Sequence, residues 1–485
     1  MFDKQSEGIS KEEARRKKRK KAQLQAYGML AAGVLALVLV IAGIGSGVSF
    51  AIKKANKNKA EQASEKNNTQ KDDLEDEQTV SGDSDEDVEE ESSDLAAQIA
   101  EANEQETEQT VEEMQEEALR NYVGSFINSM TIEEKVAGMF ITTPESITGV
   151  GTAIAAGSST SKALMDYPVG GILYNIKNIQ DAAQFKEMIY NTKTFSKYEL
   201  FIAIEEEGGE TGPLFAGGLI TEPVLSQKEI GETSGISGAY SAGISMGSAL
   251  KGLGVNVNFA PVSDVTGENN SFIIPRTYGS DVATTVSLTK NMLKGLSDQS
   301  VYGCLKYFPG HGDVTIDTNK GRGVSKRTKA DLEACEFEMV KMAIEEKVPF
   351  LMVSHVAMPE ITGDNTPASL SEVFITDMLR NELGYEGIIV TDYMSKAAIT
   401  RSYKHAEAAI MAIKAGADMI VAPADFKKAY AGVVAAVNEG EISEDRLNES
   451  LYRILMLKYK NSIDYDSIMP EESLDGEEAE TEEEP

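Results

Sequence analysis

The sequence predicts an α/β fold, a (β/α)8 TIM-type barrel over residues 119–460. Two observations predict it. Eight short apolar runs recur along this region, and almost every run is followed by a polar or glycine-rich loop and then by an amphipathic helical stretch. Near-continuous apolar strands that alternate with helices indicate a parallel sheet that is covered on both faces. The runs are Gly138–Thr142, Gly170–Tyr174, Leu200–Ile204, Val255–Ala260, Tyr302–Tyr307, Phe350–Val353, Gly387–Thr391 and Asp418–Ala422.

The alternative architecture is a doubly wound open sheet, which is disfavoured because no Gly-x-Gly-x-x-Gly pattern follows the first run. Among the helical stretches, Asp331–Glu346 is the clearest, since its apolar residues fall mostly at helical spacing. Cys304 lies in an apolar run and Cys335 in this helical stretch. Two cysteines make no disulfide framework, so buried free thiols are expected.

The net charge of −33 belongs mainly to the segments that flank the predicted barrel. Residues 60–118 carry 23 acidic and two basic side chains, and residues 461–485 carry 11 acidic side chains and no basic one. Such segments cannot bury enough apolar surface to fold, so a disordered acidic linker over 53–118 and a disordered acidic tail are predicted. Residues 95–120, rich in Ala, Glu and Gln, are a candidate polar helix. No basic face is available to neutralise phosphates, so nucleic acid is not an expected partner.

The first 52 residues predict a membrane anchor. Residues 1–26 are basic, with a cationic run at Arg15–Lys21, and Tyr27–Ile52 is uncharged and longer than the about 20 residues that span a bilayer. Basic residues before this helix and acidic ones after it predict a single-pass protein of the cell membrane with a cytoplasmic N-terminus and an extracytoplasmic barrel domain. A cleaved signal peptide is the alternative. Its apolar region would be about 7–15 residues long, and Val48–Ala51 is a weak cleavage site.

Polar side chains follow the predicted strands at the points where the strands end. In a (β/α)8 barrel these ends meet at one mouth, where the chemistry is carried out. The sequence has no His-rich or Cys-rich ligand cluster, no nucleophile elbow and no phosphate-cradling loop, so neither a metal nor a cofactor is expected. Carboxylates without such signatures are typical of acid/base or carboxylate-nucleophile chemistry, as in glycoside hydrolysis. The residues are Glu205, Glu206, Glu207, Asp264, Lys306, His311, Asp313, Asp317, His355 and Asp392.

Several blocks of the same region follow one family pattern, in order and with sensible spacing. They are Met130–Phe140, Val169–Tyr174, Asn258–Val265, Arg276–Asp281, Lys306–Asp313, Met352–Val356, Pro367–Ser371 and Leu379–Asp392. Residues from about 121 to 460 resemble the N-terminal barrel domain of family 3 glycoside hydrolases and, within it, the bacterial β-N-acetylhexosaminidases. The resemblance implies hydrolysis of O-glycosyl bonds in a carbohydrate substrate, with retained configuration.

The resemblance also implies roles for individual residues. Asp392 matches the nucleophile, which attacks the anomeric carbon and forms a covalent glycosyl-enzyme. Lys306 and Arg276 match residues that contact the sugar, and Tyr307 stands where the family has a His. Taken without the resemblance, Asp392 could cap the next helix, and Lys306 and Arg276 could form a surface ion pair.

Three more residues are substrate-binding candidates through the resemblance. Glu205 replaces the family's Asp that holds ring hydroxyls, and His311 and His355 match family positions. Each histidine could equally satisfy backbone groups in the rim of the barrel.

The main departure from the family pattern is the triplet Asp317-Thr318-Asn319. The family has Asp-Ser-His here, with the His as general acid/base and the Asp orienting it. Asn has no titratable proton and cannot protonate a leaving oxygen at neutral pH. Asp317 matches the orienting Asp and is kept as a candidate catalytic residue. Glu210 stands where the family has an Arg, and Tyr393 where it has an acidic or polar residue.

Three functional interpretations follow. The first is a hydrolase of hexosamine-containing envelope glycan, in which Asp313 or Asp317 supplies the proton. The second is a catalytically impaired relative that binds glycan or acts as a scaffold. The third is a transglycosidase or a hydrolase for activated leaving groups. The predicted anchor and a linker with a reach of about 40–50 Å favour an envelope polymer as the target.

Overall fold

The computed structural model describes residues 110–266 and 272–468, and it confirms the predicted barrel. Each of the eight apolar runs corresponds to one barrel strand, and of the barrel-strand residues Phe308 alone lies just outside its run. These strands are β1 (Phe140–Thr142), β2 (Gly171–Leu173), β3 (Phe201–Ile204), β4 (Val257–Asn258), β5 (Tyr302–Phe308), β7 (Phe350–Val353), β9 (Ile388–Thr391) and β10 (Ile420–Val421). A separate parallel pair is formed by β6 (Gly323–Val324) and β8 (Val356–Ala357).

The barrel strands are all parallel and follow the order β10-β1-β2-β3-β4-β5-β7-β9. A parallel bridge between Val390 and Met419 joins the two ends of this sheet, so the barrel is nearly closed. The register between β5 and β7 shifts between Lys306 and Phe308, at the start of the sequence block Lys306–Asp313.

Helices cover the outside of the barrel, as parallel strands linked by crossovers require. They are α1 (110–129), α2 (Ile132–Gly138), α3 (Pro144–Thr148), α4 (Ser158–Asp166), α5 (Ala182–Phe195), α6 (Pro213–Ala216), α7 (Gln227–Glu229), α8 (Gly235–Leu253), α9 (Val282–Asp298), α10 (Lys329–Glu333), α11 (Glu336–Glu345), α12 (Pro359–Thr362), α13 (Ala397–Thr400), α14 (His405–Lys414), α15 (Phe426–Asn438) and α16 (Glu444–Tyr459). Two π-type helices, Ile230–Ser234 and Val373–Glu382, complete the set, with short 3-10 turns at Ile176–Asn178, Ile274–Arg276, Ala368–Leu370 and Tyr465–Ser467.

Alternate residues along each strand fill two apolar layers. Ile141, Leu173 and Phe201 belong to the cluster inside the barrel. Phe140 and Ile172 belong to the cluster between the strands and the helices. Successive side chains of a strand point to opposite faces, so a strand that is buried on both faces must be apolar throughout. The continuous apolar runs of the sequence reflect this double burial.

The predicted segments 1–26 and 27–52, most of the linker 53–118 and most of the tail 461–485 lie outside the described residues. Helix α1 packs Leu119 and Val123 against Leu451 and Leu455 of α16. Within the described ranges, no helix is both long enough and apolar enough to cross a bilayer.

The single helix predicted over Asp331–Glu346 is wrong in one respect, because the structure divides it into α10 and α11. Cys335 lies at the break with φ −135° and ψ −79°, outside helical geometry. The break turns Glu336 inward, where its carboxylate pairs with Arg327. Cys335 is therefore only partly buried, whereas Cys304 is buried as expected, and both thiols are free.

Candidate active site

A cleft of about 1110 Å³ opens at the C-terminal ends of the barrel strands. Its walls come from the segments that follow β1, β2, β3, β4, β5, β9 and β10. Ligand pockets usually measure about 300–1,000 Å³, so the size of this cleft does not restrict it to a single small sugar. Of the predicted site residues, Glu205, Arg276 and Tyr307 line it directly.

The three glutamates after β3 alternate in direction, as they would in a continuing strand. Glu206 is buried and serves the backbone, because its carboxylate accepts hydrogen bonds from the N–H groups of Gly208 at 2.8 Å and Leu214 at 2.6 Å. Glu205 and Glu207 line the cleft. The loop after β3 thus supplies two carboxylates to the site and uses the third to fix its own shape.

Lys306, on β5, and Arg276, in the segment after β4, bind these two carboxylates. The Nζ of Lys306, which has no solvent exposure, lies 2.6 Å from Oε1 of Glu205 and also bonds Glu207. Arg276 donates from Nε and Nη2 to the two oxygens of Glu207 at 2.8 and 2.6 Å, and from Nη2 to the Tyr307 hydroxyl at 3.0 Å. Burial would raise the pKa of Glu207, but Lys306 and Arg276 hold that pKa far below its ordinary value. The structure therefore brings four predicted residues into one ion network centred on Glu207.

Replacing Lys306 by Met is expected to destabilise the fold by about 3 kcal/mol, because removing one partner of a buried ion pair leaves its carboxylates uncompensated. Arg276 would still pair with Glu207, but it lies 3.6 Å from Glu205. Glu205 would therefore lose more of its compensating charge than Glu207. Urea unfolding at pH 7 measures the loss. Adding Glu205→Gln should recover part of the lost stability, and a double variant no more stable than Lys306→Met would contradict this account.

Asp392 follows β9 and is almost fully buried, with 1% exposure. Its Oδ1 accepts a hydrogen bond from the Tyr393 N–H at 2.7 Å, and its Oδ2 lies 2.8 Å from Nζ of Lys396. Burial would raise the pKa of Asp392, but the charge of Lys396, together with that of His355 once the ring is protonated below about pH 4, lowers it to about 2. Tyr393 and Lys396 line the cleft beside it. Asp392 is thus an ionised carboxylate at the edge of the cleft and does not cap α13, whose N-cap is Lys396.

Asn319 lines the cleft, and Asp317 holds it there. Oδ1 of Asp317 accepts hydrogen bonds from the Asn319 backbone N–H and from its Nδ2, both at 2.9 Å. Between them, the Thr318 carbonyl accepts a hydrogen bond from the Ala398 N–H at 3.1 Å. Asp317 therefore orients residue 319, but residue 319 has no proton to transfer. Asp313 does not line the cleft, and it accepts from the Lys326 N–H at 3.0 Å instead.

His311 lies behind the cleft wall and is buried. Its Nδ1 is 2.7 Å from Oδ2 of Asp264, which also accepts from the His311 N–H at 3.1 Å. The other oxygen of Asp264 accepts from the Tyr307 N–H at 3.1 Å. The Asp264 carboxylate thus fixes the backbone on both sides of Phe308-Pro309-Gly310. The structure places His311 in the support of the loop and not among the cleft-lining residues.

His355 is also buried and does not line the cleft. Its Nδ1 lies 2.7 Å from Ser369 Oγ, and its Nε2 lies 3.0 Å from the Tyr393 carbonyl oxygen. A carbonyl can only accept, so Nε2 carries the proton and Nδ1 accepts from the Ser369 hydroxyl. Burial lowers the pKa of His355 to about 4, despite the nearby charge of Asp392. His355 thus supports the backbone next to Asp392 as a neutral ring.

Because of His355, the protein is expected to lose stability as the pH falls from about 6.5 to about 4. The unfolded chain takes up this proton near pH 6.5, whereas the folded chain resists protonation down to about pH 4. The difference corresponds to roughly 3 kcal/mol at pH 4. Urea unfolding at pH 7 and pH 4 measures it. In His355→Gln, which cannot titrate, the loss between the two pH values should be smaller, and an equal loss would show that another group is responsible.

Three residues of the site were missed from the sequence, and one is Glu207, the centre of the ion network, which was noted only as a strand-end residue. Lys396 stands four residues after Asp392, a spacing at which opposite charges often pair, and this was the available signal. Asp264 was noted as a strand-end residue but was given no role. Its contact with His311 joins the loops after β4 and β5. No local sequence pattern predicts a contact between residues so far apart in the chain. In the parts of the chain that the structure describes, no group of three His, Cys, Asp or Glu side chains could hold a metal ion.

Comparisons with known proteins agree with this geometry. The model of the glycosyl hydrolase family 3 N-terminal domain matches residues 131–457. Beta-hexosaminidase A of Pseudoalteromonas piscicida is 28% identical over 334 residues, which are 62% of this chain and 55% of that protein. The beta-hexosaminidase of Neisseria meningitidis serogroup C is 29% identical over 263 residues, which are 53% of this chain and 72% of that protein.

Among solved structures, a glycoside hydrolase family 3 beta-N-acetylglucosaminidase from Paenibacillus is similar, with a TM-score of 0.63 and 29% identity. The match covers 68% of this chain and 62% of that one. The chain thus spans little more than half of the Pseudoalteromonas relative and about three fifths of the Paenibacillus enzyme. The family model covers the whole barrel from α2 to α16, and the chain therefore belongs to glycoside hydrolase family 3.

Proposed function

We propose that the chain is a retaining glycoside hydrolase of the β-N-acetylhexosaminidase type, which acts on hexosamine-containing glycan of the cell envelope. The observation that carries the proposal is the ionised carboxylate of Asp392 at the end of β9, beside a cleft lined by Glu205, Arg276 and Tyr307. The names of the relatives support the substrate class, since those proteins are called beta-hexosaminidases.

Asp392 is the nucleophile in this mechanism. One of its oxygens attacks the anomeric carbon, and the bonding electrons of the glycosidic bond leave with the aglycone oxygen. Water then attacks the same carbon of the glycosyl ester, the Asp392 carboxylate is released and a proton passes to the solvent. Two displacements restore the original configuration. Glu205 accepts hydrogen bonds from ring hydroxyls, and Arg276 donates to them.

The leaving group must depart without an acid at residue 319. In the part of the cleft around Asp392, Glu207 is ionised by its ion pairs, and burial raises the pKa of both Tyr307 and Tyr393. These groups are poor proton donors at neutral pH. The chain is therefore expected to cleave glycan bonds, whose leaving group is a sugar alkoxide, more slowly than activated glycosides whose aglycone is stable as an anion.

A direct assay tests the function. The full chain should hydrolyse 2,4-dinitrophenyl N-acetyl-β-D-glucosaminide, whose leaving group needs little protonation. Proton NMR of the first turnovers should show the β-hemiacetal before mutarotation. An α-hemiacetal as first product would contradict the retaining mechanism.

A glycan-binding module is the second candidate, and Asn319 at the acid/base position is the observation that favours it. The same assay separates the two. Binding of N-acetylglucosamine without turnover of the dinitrophenyl glycoside would support the glycan-binding module and contradict the proposed hydrolase.

The proposed location is the cell membrane, with the anchor at residues 27–52, the N-terminus in the cytoplasm and the barrel outside. The uncharged stretch between a basic and an acidic segment supports it. Protease added to intact spheroplasts should remove the barrel, and protection of the barrel from the protease would contradict this topology.

A further inference from the structure

Lys396 separates the Asp392 carboxylate from the cleft. Its Nζ lies 2.8 Å from Oδ2 of Asp392, while the Tyr393 N–H occupies Oδ1 at 2.7 Å. Lys396 lines the cleft, but Asp392 is only 1% exposed. Both oxygens are therefore engaged, and Lys396 is the cleft-lining side chain that bonds Oδ2 directly.

Two aromatic rings hold the Lys396 ammonium in this place. Nζ lies 5.5 Å from the centre of the Tyr307 ring and 5.7 Å from that of Tyr393, within the range of cation–π attraction. The side chain is 10% exposed. Burial would lower the pKa of Lys396, but Asp392, Tyr307 and Glu205 raise it well above its ordinary value. The lysine is thus a cation at neutral pH, and the two rings keep it beside Asp392.

Other groups also face Asp392, and none of them adds a positive charge at neutral pH. His355, after β7, is neutral because burial lowers its pKa to about 4. On β5, burial raises the pKa of Cys304 and of Tyr307, so both stay protonated. Lys396 is therefore the main counter-charge of the Asp392 carboxylate.

A fixed cation at this point has two opposing effects on glycoside cleavage. It keeps the carboxylate ionised, which a nucleophile requires. It also ties up a carboxylate oxygen and lies close to the anomeric carbon, where positive charge develops in the transition state. The first effect gives little at pH 7, because a rise of about 1–3 units from about 2, as expected on loss of the cation, leaves the pKa of Asp392 below 7. The second effect remains at pH 7, so the net effect there is restraint.

We propose that Lys396 is a positioning residue that restrains the nucleophile, holding Asp392 in an ion pair that the bound sugar must displace. This proposal rests on the proposed hydrolysis. It assigns a specific task to a residue that the tyrosines on both sides keep in place, and it explains why the carboxylate is covered although the cleft is open.

The test removes the charge of Lys396 in two ways. Lys396→Met removes both the charge and the contact, and Lys396→Gln keeps a donor for Oδ2 without the charge. Lys396→Arg keeps the charge and is the control, and thermal unfolding checks the fold of each variant. The pKa of Asp392 is read by NMR of the full chain labelled with ¹³C at the aspartate carboxyl carbons, with Asp392→Asn for assignment. The second readout is kcat for the dinitrophenyl glycoside at pH 7.

We expect the pKa of Asp392 to rise by about 1–3 units in the Gln and Met variants, as for a carboxyl group that loses its cation. We expect kcat to increase about tenfold or more, and Lys396→Arg to stay near the parent chain in both readouts. An unchanged pKa of Asp392 in these variants would contradict its pairing with Lys396. A raised pKa with an unchanged or lower kcat would overturn the restraint.

The two proposals can fail separately. If neither the parent chain nor Lys396→Gln turns over the glycoside, both the hydrolysis and the restraint are overturned, whatever the NMR shows. If the parent chain turns over and Lys396→Gln changes neither readout, the hydrolysis stands and the role of Lys396 is overturned.

Discussion

Replacing Asp392 by Asn is expected to lower kcat for the dinitrophenyl glycoside by roughly 10⁴-fold or more, the scale on which removal of a covalent nucleophile acts. Asn has nearly the same shape and can still accept the 2.7 Å hydrogen bond from the Tyr393 N–H. Its amide cannot form the glycosyl ester. Initial rates measured at saturating substrate check this, and mass spectrometry of the parent chain quenched during turnover should find the sugar on Asp392. Retained activity would show that another group attacks the anomeric carbon.

Asp418 offers a matched control for this substitution. It is fully buried like Asp392, and its Oδ1 lies 3.1 Å from Arg453 and 2.7 Å from the Ser450 hydroxyl. It precedes β10, at the end of the barrel opposite the cleft. Asp418→Asn should therefore cost stability and leave kcat unchanged. If both variants lost activity equally, the effect of Asp392→Asn would reflect damage to the fold.

Burial on both faces explains why the barrel could be predicted from the sequence. A strand such as Phe350–Val353 must be apolar at every position, so its limits coincide with those of the apolar run. Where a run contains only a two-residue strand, as at Val257–Asn258, the prediction Val255–Ala260 was too long. The flanking residues Asn256 and Phe259 still donate backbone hydrogen bonds to Ile202 and Ile204 of β3, at 3.1 and 2.8 Å. Hydrophobicity alone cannot distinguish them from the residues of the strand.

Contacts between distant loops explain what could not be predicted. The break between α10 and α11 brings Glu336 to Arg327, which also donates to the Pro309 carbonyl at 2.9 Å. The helical spacing of apolar residues does not reveal such an ion pair between separate segments. In the same way, the sequence left His311 open between a sugar contact and support of the barrel rim, and only its contact with Asp264 in the folded chain favours the support.

The loop that contains Asn319 retains the support that a catalytic histidine would need. Asp317 lies two residues before it, and its Oδ1 accepts a hydrogen bond from the Asn319 Nδ2 at 2.9 Å. In an Asp–His pair the carboxylate receives an imidazole N–H in the same way, which fixes the tautomer and stabilises the cation. The side chain of residue 319 already lines the cleft. One substitution could therefore complete an acid/base pair whose second member is present.

Asn319→His is expected to raise kcat/KM for aglycones of high pKa, such as a second sugar, by about 10²–10⁴-fold, the usual contribution of general acid catalysis. The dinitrophenyl glycoside needs no proton and should change little. A series of aryl glycosides checks this: the steep dependence of log kcat/KM on leaving-group pKa in the parent chain should flatten in the variant. A new basic limb should also appear in the pH profile near the ordinary histidine pKa of about 6.5.

Two further variants decide whether the introduced histidine works through Asp317 as the geometry requires. Adding Asp317→Asn to Asn319→His removes the charge that stabilises the imidazolium, so the gain should fall and the basic limb should move to lower pH. Asn319→Gln enlarges the side chain without a titratable group and should bring no gain. If Gln raised the rate as much as His, the improvement would come from packing in the cleft. If the leaving-group dependence stayed steep in Asn319→His, the imidazole would not protonate the glycosidic oxygen, and the account of residue 319 as the seat of the acid would be wrong.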